Sequence, residues 1–76
     1  MRDINEITSF LTSERENRDY IEGRIQHWEA KLNDVTPGTS NHSFIVHRLV
    51  SLELQLSDAK RCITLLKIER AAVLVA

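Results

Sequence analysis

Apolar residues recur at alternating steps of four and three along the C-terminal half of the chain. This spacing places them on one side of an α-helix, in the positions by which a helix packs lengthwise against another helix. We call this row the seam of the second helix, and it consists of Ile45, Leu49, Leu52, Leu56, Ala59, Ile63 and Leu66. The pattern predicts a long helix over about residues 41–72.

A second apolar set lies on the opposite side of the same predicted helix. At about 100° per residue, its members point roughly 180° away from the seam. We call this set the second apolar face, and it consists of Val46, Val50, Leu54, Leu65, Ile68 and Val75. Ser57 and Arg61 interrupt it. A helix with one neighbour needs only one apolar side, so we predict that the second apolar face binds a partner.

The N-terminal half has the same periodicity, with two charged residues at seam positions. Asp3 followed by Glu6 has the form of a capping box, which predicts a helix start at Asp3. The apolar seam positions are Ile4, Ile7, Leu11, Ile21, Ile25, Trp28 and Leu32. Glu14 and Arg18 occupy the interrupted part of this seam, four residues apart in an order that favours an ion pair along the helix. We expect Trp28 to pack in the core near the turn.

Two interpretations of this half remain. Either one helix runs over about residues 3–33, or a short helix over about 3–11 bends near Thr12 into a longer one over 13–33. The unbroken heptad phase supports the continuous helix. The Ser-Glu-Arg-Glu segment after Thr12 has the form of a new helix start, and the charged seam positions lie within it (Glu14) and two residues after it (Arg18). We therefore favour a break or bend near Thr12.

The Pro37-Gly38 pair marks a turn over residues 35–40. Pro and Gly both favour turn conformations, and we expect Ser40 or Asn41 to cap the second helix. A short loop between two long helices makes them antiparallel neighbours. The predicted fold class is therefore all-α, with a single antiparallel αα-hairpin domain over residues 1–76 and the alternative of a short extra N-terminal helix.

The composition changes this picture little. The chain has 76 residues, with 10 Lys+Arg against 11 Asp+Glu, and this balance excludes a strong field for nucleic acid or an anionic membrane. Its longest apolar run, residues 71–76, is far shorter than the ~20 residues of a membrane span. The single Cys62 and the absence of a signal-peptide pattern favour the cytoplasm. A chain of this length rarely obtains more than ~3–5 kcal/mol from its own core, so association is the expected supplement.

Residues for catalysis or metal binding are not arranged in any recognisable pattern. His27, His42 and His47 lack the spacing of a zinc site, and the two near the second helix start are expected to be solvated or capping. Cys62 flanks the seam and is expected to be a half-buried structural thiol. There is no Gly-rich phosphate loop and no G-x-S-x-G. We therefore expect no catalytic, cofactor-binding or metal-binding residues, and no enzyme activity.

The overall layout resembles a known family. It combines a charged first helix from Ser13-Glu14-Arg15-Glu16 onward with Leu-Glu-Leu-Gln-Leu-Ser-Asp-Ala at residues 52–59, Ile-Thr-Leu-Leu at residues 63–66 and an apolar tail. This layout resembles the small co-chaperones of type III secretion needle subunits, the YscE/PscE/SsaE-type proteins, over nearly the whole chain. The resemblance implies a bacterial cytoplasmic protein. Its partners would be a larger tetratricopeptide-like chaperone and the needle subunit, which the two chaperones together keep soluble and unpolymerised before export.

A second hypothesis also accounts for the second apolar face. The chain could be a self-associating coiled-coil module, structural or adaptor, in which two hairpins form a homo-oligomer. Either hypothesis requires binding and no chemistry. The mass of the protein in solution, with and without a partner, separates them.

Overall fold

The computed structural model describes residues 2–75, which form two long helices joined by a short turn. Helix α1 spans Ile4–Asn33 and helix α2 spans Ser40–Val75. The helices pack side by side in a rod of 56 × 14 × 13 Å. At 1.5 Å per residue, α2 alone accounts for about 54 Å of that length. The predicted all-α hairpin is confirmed.

Helix α1 is continuous through Thr12, so the favoured break at that position is wrong and the alternative of one helix is right. The hydroxyls of Thr8 and Thr12 each donate to the carbonyl four residues earlier, at 2.8 and 3.1 Å. These bonds leave the backbone ladder in place. Leu11 and Ile21 are both buried on the same side of the helix, and only an unbroken helix can bury both in one heptad phase.

The core is the meeting of the two seams, and it divides into two clusters. The cluster at the open end of the hairpin contains Ile7, Leu11, Ile63 and Leu66, with Val73 packed against it. The cluster nearer the turn contains Ile21, Ile25, Leu52 and Ala59, with Trp28, Leu49 and Leu56 packed against it. Half-buried Glu14 and Arg18 lie between the clusters on α1. Arg18 donates to Asp19 at 3.1 Å, so the predicted pair with Glu14 is not the one that forms.

The turn covers residues 34–39, one residue earlier than predicted, and is closed by Thr39. Gly38 has a φ of +86°, in the left-handed region that glycine adopts without a steric penalty. The Thr39 hydroxyl accepts from the amide of His42 at 3.2 Å and donates to the carbonyl of Thr36 at 2.8 Å. Thr39 is therefore the N-cap of α2, in place of the expected Ser40 or Asn41.

Candidate protein-binding surface

The second apolar face is exposed along the length of α2. Its six residues are between 37% and 87% exposed, whereas the buried seam residues of the same helix are 3–7% exposed. Val46 and Val75 lie 29 residues apart, so the face extends for about 44 Å. An exposed apolar surface of this length on a small protein is typical of a binding site for another macromolecule.

Two polar residues, Ser57 and Arg61, lie in the middle of the second apolar face. Arg61 follows Leu54 by seven residues and precedes Ile68 by seven, which places all three on one line along the helix. The Arg61 guanidinium lies 3.9 Å from the Asp58 carboxylate, and both side chains are about three-quarters exposed. An exposed pair of this kind contributes little to stability. A partner that covers this face would bury the Arg61 guanidinium, and a hydrogen-bond acceptor opposite that group would offset the cost of removing it from water.

Aromatic side chains gather at the turn end of the hairpin. The rings of Trp28 and Phe44 meet edge to face, with centroids 5.9 Å apart, and the Lys31 ammonium lies 5.3 Å from the indole. Together with Val35 and Ile45 they line an open groove of about 340 Å³. Trp28 packs against the core as predicted. Phe44 was missed by the sequence analysis because it lies between a cap and a seam residue and belongs to neither apolar row.

Arg2 and Glu69 join the two helices at the open end. The Arg2 guanidinium donates two hydrogen bonds to the Glu69 carboxylate, the Nε bond at 3.0 Å, and it also lies 5.0 Å from the ring centroid of Phe10. The hydrogen bond from Arg2 lowers the pKa of the Glu69 carboxyl below its usual value. This contact ties the start of α1 to the last turns of α2, which no local sequence pattern indicates.

The thiol of Cys62 lies on this open-end surface. Cys62 is exposed, so the expectation of a half-buried thiol is wrong. It lines a groove together with Phe10, Glu14 and Leu65. The reason is its position at the edge of the seam, where α1 buries the neighbouring Ile63 but leaves Cys62 exposed.

The histidines are dispersed along the hairpin. His27 meets Trp28 edge to face at 5.6 Å, while His42 is half-buried beside the cap of α2 and His47 is exposed. Within residues 2–75, no three side chains of His, Cys, Asp or Glu are grouped so that they could hold a metal ion. No helix in the described part of the chain is long and apolar enough to span a membrane.

We found no family model, curated protein or solved structure that matches this chain. What the protein does is therefore inferred from two sources. One is the exposed second apolar face of α2, and the other is the resemblance of the layout to the secretion co-chaperones.

Proposed function

We propose that this chain is a protein-binding co-chaperone of a bacterial type III secretion system, acting in the cytoplasm. It binds and stabilises a larger tetratricopeptide-like chaperone, and together they keep the needle subunit soluble before export. The resemblance of the layout suggests these partners. The observation that supports a binding role is the second apolar face, which the hairpin leaves exposed to solvent.

The shape of the hairpin suits a partner built from helix pairs. Tetratricopeptide-like proteins stack helical hairpins, and each hairpin buries an apolar face against its neighbour. This chain is itself one helical hairpin whose seam residues are buried between its two helices and whose second apolar face is exposed. It can therefore stack as one additional helix pair, with α2 toward the partner and α1 away from it.

The strength of such an interface comes from a few large side chains. Burial of one Val, Leu or Ile is worth ~1.5–3 kcal/mol before the costs of association are subtracted. Leu54, Leu65 and Ile68 are each more than half exposed in the free chain, so a partner gains most from covering these three. They lie on both sides of Arg61, which a carboxylate of the partner would have to meet.

The test is the double variant Leu54→Lys with Ile68→Lys, measured by titration calorimetry against the purified tetratricopeptide-like chaperone of the same secretion system. Lys is a good helix former and both sites are exposed, so we expect helicity to be unchanged. We expect affinity to fall by about 100-fold or more, since two buried apolar contacts are replaced by charges. The matched control is Tyr20→Lys, which changes an exposed aromatic on α1 and should leave affinity unchanged.

Two results would contradict the proposal. Undiminished affinity of the double variant would remove the second apolar face from the binding mechanism. Loss of helicity in the double variant would show that this face supports the fold of the chain and is not a free surface.

A further inference from the structure

Four large residues of the second apolar face form two pairs that are nearly symmetric about the middle of the helix. Leu54 and Leu65 lie at equal distances from the midpoint between residues 59 and 60, and Val50 and Ile68 lie at equal distances from residue 59. A reversed copy centred between residues 59 and 60 therefore places Leu54 opposite Leu65, and it brings Val50 within one residue, about 1.5 Å along the helix, of the position opposite Ile68. On a helical wheel at about 100° per residue, the members of each pair also fall within about 20° of one another, so they meet on the same side of the contact.

Two residues of opposite charge near the middle of the face are also placed symmetrically about its midpoint. Asp58 and Arg61 lie at equal distances from the midpoint between residues 59 and 60, so a reversed copy brings each one beside the other. Both are about three-quarters exposed and lie 3.9 Å apart within the chain, so they are free to form additional pairs. A parallel copy would instead place Asp58 near Asp58 and Arg61 near Arg61, which is repulsive.

We propose that a second copy of this chain packs antiparallel against the second apolar face of α2. In this dimer, Leu54 meets Leu65 of the second copy, and Arg61 meets Asp58 of the second copy. The two-fold axis of the dimer generates a second copy of each contact, so each occurs twice. This inference does not rest on the proposed secretion role. If both hold, the second copy and the chaperone compete for the same face, and the dimer is the form of the chain without its partner.

The size of the face determines how strong this dimer is. A face about 44 Å long and about 10 Å wide buries roughly 900 Å² in total when two copies meet, counting both surfaces. Stable complexes bury roughly 1,200 Å² or more, so this contact belongs with the weak and reversible ones. The dimer should therefore dissociate on dilution, with a dissociation constant on the order of micromolar.

Sedimentation equilibrium of the full chain over a dilution series tests the dimer and its register. We expect the wild-type mass to rise from one chain to two with concentration. Arg61→Asp places two carboxylates together at each contact, and Asp58→Arg places two guanidinium groups together. Each single variant should therefore raise the dissociation constant about tenfold or more. An equal mixture of the two variants restores every opposite-charge contact and should form a heterodimer within about threefold of wild type.

The matched control is Arg48→Asp, a charge reversal at an exposed site of α2 that lies away from the second apolar face, and it should leave the dissociation constant unchanged. Circular dichroism of each variant verifies the helical fold. The proposal is overturned by a wild-type chain that stays monomeric throughout the series, by single variants that dimerise as tightly as wild type, or by a mixture that associates no better than its components. Because the assay contains no chaperone, these results would leave the proposed co-chaperone role standing.

Discussion

Leu11 offers the most direct test of the hairpin core. It is 1% exposed and packs with Ile7, Ile63 and Leu66 at the open end of the hairpin. Truncation of a buried Leu to Ala costs about 2–5 kcal/mol, depending on how far the surroundings collapse. The Leu11 cluster lies between only two helices and close to their ends, so the neighbouring side chains can move into part of the cavity that the truncation leaves. We therefore expect Leu11→Ala to lower the free energy of unfolding by about 2–3 kcal/mol.

This loss is large compared with the stability of the protein. A small hairpin without a disulfide or metal has about 3–5 kcal/mol available from its core, so the variant should remain only marginally folded. Urea unfolding followed by circular dichroism measures the difference, at protein concentrations low enough to avoid self-association. The matched control is Leu74→Ala, which makes the same chemical change at a residue that is 69% exposed and should cost less than about 0.5 kcal/mol.

Two results would refute this reasoning. Equal costs for Leu11→Ala and Leu74→Ala would show that burial between α1 and α2 does not determine the stability of the chain. A loss for Leu11→Ala that shrinks as protein concentration rises would show that the residue is stabilised mainly by association and not by the hairpin itself.

Three further predictions concern the open end, the turn and the middle of α1. The pKa of Glu69 is lowered by Arg2, so the pair stabilises the fold fully above the ordinary carboxyl pKa of 4.5, and this stabilisation is lost as pH falls through the lowered value. Glu69→Gln should remove that part of the acid dependence, and the urea midpoints of wild type and variant should converge in acid. Gly38→Ala should destabilise by about 1–2 kcal/mol, since φ is +86° there. Gly23→Ala should stabilise the fold by about 0.5–1 kcal/mol, because a Cβ at that helical position meets nothing within 4 Å. Thermal melts of both glycine variants measure these changes, and midpoints that shift in the same direction would contradict the prediction.

The sequence alone determined the architecture and the members of the core. Every buried residue of both helices occupies a predicted seam position. The reason is that the side of a helix on which a residue lies depends only on its position in the repeat, which is a local property. The Pro37-Gly38 turn then leaves the two helices no arrangement other than antiparallel neighbours. For the same reason, the second apolar face could be recognised before its exposure was known.

The tertiary structure decided what depends on contacts between distant residues. Arg2 and Glu69 are 67 positions apart in the sequence. Their pairing requires the start of α1 and the end of α2 to lie side by side along the axis of the hairpin. The exposure of Cys62 likewise depends on how far the side chains of α1 extend beyond the seam. The continuity of α1 through Thr12 was not decided by local signals, because a helix start and an unbroken heptad were both present there. Burial of apolar residues on both sides of Thr12 against one straight α2 favours the continuous helix, since a bend would remove one cluster from its partner.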